Sequence, residues 1–96
     1  MKIKNIQDNK DCGTNILRRI INFEENITKE NVLSLAKNKQ LIFNEEFPIP
    51  HFKIISQNFI IRGSVETKRI TVDFNSTEKQ KYEKLLDEIV KEIENI

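Results

Sequence analysis

Apolar and polar residues alternate most clearly in the second half of the chain, where FKIISQNFIIRGSVETKRITVDF (52–74) precedes STEKQKYEKLLDEIVKEIENI (76–96). The first segment predicts a β-hairpin with strands at 52–62 and 66–74, and the second an amphipathic helix over 77–95. Directly opposed residues of an antiparallel pair share a face, and a slip of one residue exchanges the faces, so the turn decides what is buried. A two-residue type II′ turn at Gly63 and Ser64, with glycine supplying the positive φ, sets Ile61 against Glu66, Phe59 against Lys68 and Ile55 against Val72. Ile55, Phe59, Ile61, Ile70, Val72 and Phe74 then make one face. Ser56, Asn58, Thr67, Arg69, Thr71 and Asp73 make the other, interrupted by Ile54 and Ile60. A three-residue loop over 63–65 segregates the two classes less cleanly.

In the last segment Tyr82, Leu85, Leu86, Ile89, Val90 and Ile93 recur at helical spacing, and the opposite side is charged. Thr77 with Gln80 forms an S/T-x-x-E/Q capping pattern, and Glu78 suits the positive end of the helix dipole. Charges four apart are of both signs, so the apolar stripe rather than ion pairing must hold the helix against the hairpin. Upstream, Ile16, Ile20, Phe23 and Ile27 repeat at i, i+4, i+7 and i+11, flanked by Leu17 and Ile21, which predicts a helix. Thr28 reads as the N-cap of KENVLSLAKNK, with Val32, Leu35 and Ala36 on its apolar side. These make one bent or two separate helices within 15–38. Leu41, Ile42 and Phe43 suit a brief strand. Pro48 and Pro50 then enforce an extended loop, pinned by Phe47, Ile49 and Phe52, although a PxP stretch is also a polyproline-type ligand. Residues 1–11, with Ile3 and Ile6 among polar neighbours, form an edge strand or a frayed end. The expected architecture is α+β: an antiparallel sheet of about three strands under the C-terminal helix, in a single domain spanning 1–96.

Composition narrows the function classes. The chain has 96 residues, a net charge of +1, one Cys, one His and no Trp. No apolar run approaches the roughly 20 residues of a bilayer-crossing helix, and the N-terminal segment lacks an apolar signal-peptide core, so a cytoplasmic setting without membrane contact is expected. Cys12 alone forms no internal disulfide and no thiolate-rich metal site. Nothing local links it to His51 as a nucleophile and base. Glycine-rich phosphate loops, H-E-x-x-H and G-x-S-x-G are all missing, and Glu24/Glu25 and Glu45/Glu46 diverge as adjacent side chains do. No cofactor, no metal and no catalytic residue is therefore assigned.

Formal charge runs from about +3 over 1–40, through zero over 41–75, to about −2 over 76–96. A nucleic-acid site would draw on Arg18, Arg19, Arg62, Lys68 and Arg69 if they cluster, because phosphate contacts dominate such affinity. ILRRIINFEENITKENVLSLAKNK resembles the opening of a winged helix-turn-helix, but the proline segment supplies no recognition helix. The order helix, helix, three strands, helix resembles the scaffold of RelE/ParE-type toxins; that likeness implies a ribonuclease with Arg62 and Arg69 on its sheet. The residues themselves point first to a small non-catalytic protein-binding module, an accessory factor or inhibitor. Its Ile, Asn and Lys content suggests an AT-rich genome, and free-standing domains of this size are often phage- or plasmid-encoded regulators. Ile54 and Ile60 are the candidate partner contacts, or the seam of a homodimer.

Overall fold

The computed structural model describes residues 1–10, 17–46, 48–74 and 79–96. Eight elements follow in order: β1 (Ile3–Lys10), β2 (Leu17–Phe23), α1 (Lys29–Leu35), β3 (Gln40–Asn44), β4 (His51–Ile55), β5 (Phe59–Ser64), β6 (Arg69–Phe74) and α2 (Lys79–Glu94). All six strands form one antiparallel sheet in the order β1-β2-β6-β5-β4-β3. The fold is α+β, but the sheet has twice the expected number of strands.

The extra strands have identifiable causes. The first predicted helix is β2, an inner strand paired with β1 on one side and β6 on the other. Its Leu17, Arg19, Ile21 and Phe23 share one side of the pleat and Arg18, Ile20 and Asn22 the other, a two-residue period that the helical spacing of Ile20 and Phe23 obscured. Adjacent β-branched Ile20 and Ile21 favour the strand locally, and hydrogen-bonding neighbours on both edges complete it. The predicted strand 52–62 is itself a hairpin. It bends at 56–58, where the Phe59 carbonyl accepts from the Ser56 amide at 2.9 Å. The turn Ser56-Gln57-Asn58 carries neither Gly nor Pro.

The register of β5 and β6 also differs from expectation. Phe59 opposes Phe74, Ile61 opposes Val72 and Gly63 opposes Ile70, and the connection is the four-residue loop 65–68. Glu66 takes φ +68° there, the left-handed geometry that had been assigned to Gly63. The loop is anchored because Ile27 and Glu66 exchange backbone bonds with it and its neighbour: Ile27 N–H to Thr67 O and Glu66 N–H to Ile27 O, both 2.8 Å. Relative to the expected pairing the strand has slid by an even number of residues, so Phe59, Ile61, Ile70, Val72 and Phe74 remain on one face. Ile55 and Ile54 have exchanged places: Ile54 opposes Ile61 in the core, whereas Ile55 opposes Ile60 on the other side.

α1 and α2 cover that single apolar face. Tyr82, Ile89 and Ile93 of α2 and Val32 and Leu35 of α1 are buried against Ile21, Phe23, Phe52, Ile54, Phe59, Ile61, Ile70, Val72 and Phe74. Tilted rings join the layers, with Phe74 and Tyr82 centroids 5.6 Å apart. Thr28 caps α1 as its sequence predicts: its hydroxyl accepts from the Asn31 amide at 3.2 Å, and the Asn31 side chain accepts from the Thr28 amide at 3.0 Å. The expected cap of α2 rests on Thr77 and Glu78, which, like Cys12, Ile16 and Phe47 with their expected roles, lie outside the described residues. Of the other proline-loop anchors, Phe52 is buried in β4 and Ile49 is 45% exposed. The first eleven residues do contain an edge strand, β1. The Met1 amino group donates to the Ile93 carbonyl at 3.2 Å and to a main-chain oxygen of Ile96 at 2.8 Å, against the negative end of α2.

Candidate functional site

Helices on one side leave the other side of the sheet without a covering helix among the described residues. Following the register across the strands, that open face carries Arg18, Ile20 and Asn22 on β2; Arg69, Thr71 and Asp73 on β6; Ile60, Arg62 and Ser64 on β5. It continues through His51, Lys53 and Ile55 on β4 to Gln40, Ile42 and Asn44 on β3. Four cations thus share a face with one described acid, Asp73.

Asp73 organises the middle of this face. Arg18 grips its carboxylate in a fork, Nε to Oδ1 at 2.7 Å and Nη2 to Oδ2 at 3.2 Å. Arg62 approaches Oδ2 from β5 at 3.6 Å. The carboxylate side chain is 6% exposed while Arg62 is 50% exposed, so Asp73 is a sunken anchor and Arg62 projects from it.

Beyond Arg62 lies a shallow groove of about 390 Å³, lined by Ile42, Asn44, His51, Lys53, Arg62, Ser64 and Thr71 with Phe52 and Gly63 at its floor. Lys53 stands directly opposite Arg62 in the β4–β5 pair. Like charges in that position repel; no carboxylate lines the groove, and the Asp73 contact at 3.6 Å offsets the Arg62 charge only in part. His51 Nδ1 and the Ser64 hydroxyl are hydrogen-bonded at 2.5 Å on the groove's rim. The donors Lys53, Arg62, Asn44 and Thr71 suit an anionic group, and exposed Ile42 adds an apolar contact beside them. No group of three or more His, Cys, Asp or Glu side chains converges as a metal site among the described residues.

The sequence candidates divide. Arg18, Arg62 and Arg69 lie on the open face. Arg19 lies on the helix side, where its Nη2 donates to the Tyr82 hydroxyl at 2.8 Å and its guanidinium carbon is 4.9 Å from the ring centroid. Lys68 sits in the 65–68 loop. Of the suggested partner contacts, Ile54 is fully buried in the core, so it presents nothing to a partner; Ile60 is half-buried on the open face. Lys53 was overlooked because its face depends on the unrecognised turn at 56–58. The polar cluster Ser56-Gln57-Asn58 was the signal available.

No helix among the described residues is long and apolar enough to cross a membrane. The observed order of two strands, a helix, four strands and a helix departs from both the winged-helix and the RelE/ParE-like arrangements, since β2 replaces the helix each requires. No family model, characterised protein or solved structure matches this chain.

Proposed function

We propose that the protein is a non-catalytic binding module that docks an acidic surface of another protein on the open face of its sheet, as an accessory factor or inhibitor does. The observation that carries this reading is Lys53 opposed to Arg62 in an acid-free groove beside exposed Ile42. An acidic side chain entering there relieves the repulsion, and the neighbouring isoleucines supply the apolar contact of a protein interface. Nucleic acid is disfavoured by the distribution of aromatics. Phe23, Phe52, Phe59, Phe74 and Tyr82 belong to the buried core and Phe43 packs against it, leaving no described Phe or Tyr ring on the open face to stack a base beside the small imidazole of His51.

A photo-crosslinking residue at Ser64, in extracts of the native host, should capture a protein whose purified form binds this chain. The double variant Lys53→Glu/Arg62→Glu should weaken that binding at least about tenfold, roughly 1.4 kcal/mol. Unchanged affinity in the variant would remove the open face from the interaction. Mobility shifts with RNA or duplex DNA at two salt concentrations test the other class. Strong, steeply salt-dependent binding would replace the protein partner by a polyanion.

A further inference from the structure

The sheet ends in two edges, and they are not alike. β1 carries exposed Lys4 and a register break between Ile3 and Asn5, features that discourage another strand from adding to it. β3, at the opposite end, reads Gln-Leu-Ile-Phe-Asn: no charge, no proline, and an unbroken register with β4. Its outer backbone groups have no strand beside them among the described residues. Ile42 is 47% exposed, and Leu41 and Phe43 are only partly covered at the end of the core. A shallow hollow lined by residues 42–46 runs along this edge.

We infer that β3 pairs with β3 of a second copy of this chain, antiparallel about a two-fold axis at Ile42, joining the two sheets into one. Charge and face both select this arrangement. A two-fold axis perpendicular to the sheet keeps the helices of both copies on the same side, which requires residues of like face to meet. With Ile42 on the axis, Leu41 of each copy meets Phe43 of the other and closes the exposed end of the core. Gln40 meets Asn44. One step beyond the strand, Lys39 of each copy meets Glu45 of the other, an opposite-charge pair made twice by symmetry. Moving the axis by one residue along either strand keeps the faces but separates Lys39 from Glu45. Within the monomer Lys39, whose side chain is 14% exposed, reaches Glu92 at 3.1 Å, and the exposed Glu45 reaches Lys29 at 2.9 Å, so the pair between copies forms by exchange with these two contacts.

The paired sheet carries two copies of the open face side by side. The inference does not need the proposed partner, and the two fail separately, because one is read from self-association and the other from Lys53 and Arg62.

Light scattering coupled to gel filtration should give the mass of two chains, falling to one on dilution. Amides of 40–44 should exchange more slowly as concentration rises, while those of β1 should not change. Ile42→Lys places two like charges on the axis and should leave a single chain with an unchanged circular-dichroism spectrum. Lys39→Glu should shift the dimer-to-monomer midpoint to at least about tenfold higher concentration, and Lys39→Glu/Glu45→Lys should bring it back. A single chain for the unsubstituted protein at its highest soluble concentration would overturn the inference. So would a dimer that survives Ile42→Lys, or protection of β3 appearing only with an unrelated extended peptide.

Discussion

Gly63 has no side chain because Phe52 occupies the place where one would go. A Cβ built there would lie 2.7 Å from Phe52 Cζ, closer than real Cβ contacts come, and 3.2 Å from Ile70 Cγ2, tighter than most. Gly63→Ala should therefore cost about 1–3 kcal/mol through overpacking, read from urea denaturation, while Phe52→Leu in the same background should recover part of it. A neutral Gly63→Ala would show that the ring has room to move. Phe59, 6% exposed between Phe74 and the helix layer, should lose about 3–5 kcal/mol on truncation to Ala. On the other side of the sheet, Arg18→Ala leaves the Asp73 carboxylate with only the longer Arg62 contact. Arg18 is 28% exposed, so solvent softens the loss to about 2 kcal/mol, measured as a lowered thermal midpoint. Asp73→Asn tests the same anchor from its acidic side. It should loosen Arg62 and weaken partner binding without reversing any surface charge.

Elements became legible in the sequence to the extent that local chemistry determined them. α2 announces itself through Tyr82, Leu85, Ile89 and Ile93, and α1 through Thr28, whose replacement by Ala should remove about 1 kcal/mol and fray the helix in amide exchange. The short strand at 41–43 was likewise readable. β2 was not, because Ile16 to Ile27 satisfy a helical period on paper, and only the two neighbouring strands show that the two-residue period prevails. The hairpin 52–74 was read with its loop in the wrong place yet with most of its core face correct, since an even slide preserves the sides of the pleat. The candidate site was readable only in fragments: Arg18, Arg62 and Arg69 were singled out, but Lys53, Thr71 and Asn44 join them only through pairings between strands. Facing relationships of this kind are tertiary facts, and no single strand contains them.

For the molecule as a whole, the order β1-β2-β6-β5-β4-β3 means that β3 to β6 assemble as a meander of neighbours, whereas β2 must find β6 across about half of the chain. Non-local pairing of this kind places refolding on about the millisecond-to-second scale, observable by stopped-flow; microsecond refolding would argue against the β2–β6 seam. A sheet clothed on one side also separates the tasks of the two faces: substitutions under α2 should act on stability, and those at Lys53 or Arg62 on association. The Met1 amino group resting on main-chain oxygens of Ile93 and Ile96 has a consequence of its own. A short peptide bridging the two termini would close the chain into a loop, and cutting that loop at Gln57 would yield a circular permutant with every strand neighbour retained. Such a rearranged protein should fold to the same sheet with new ends beside the β4–β5 bend.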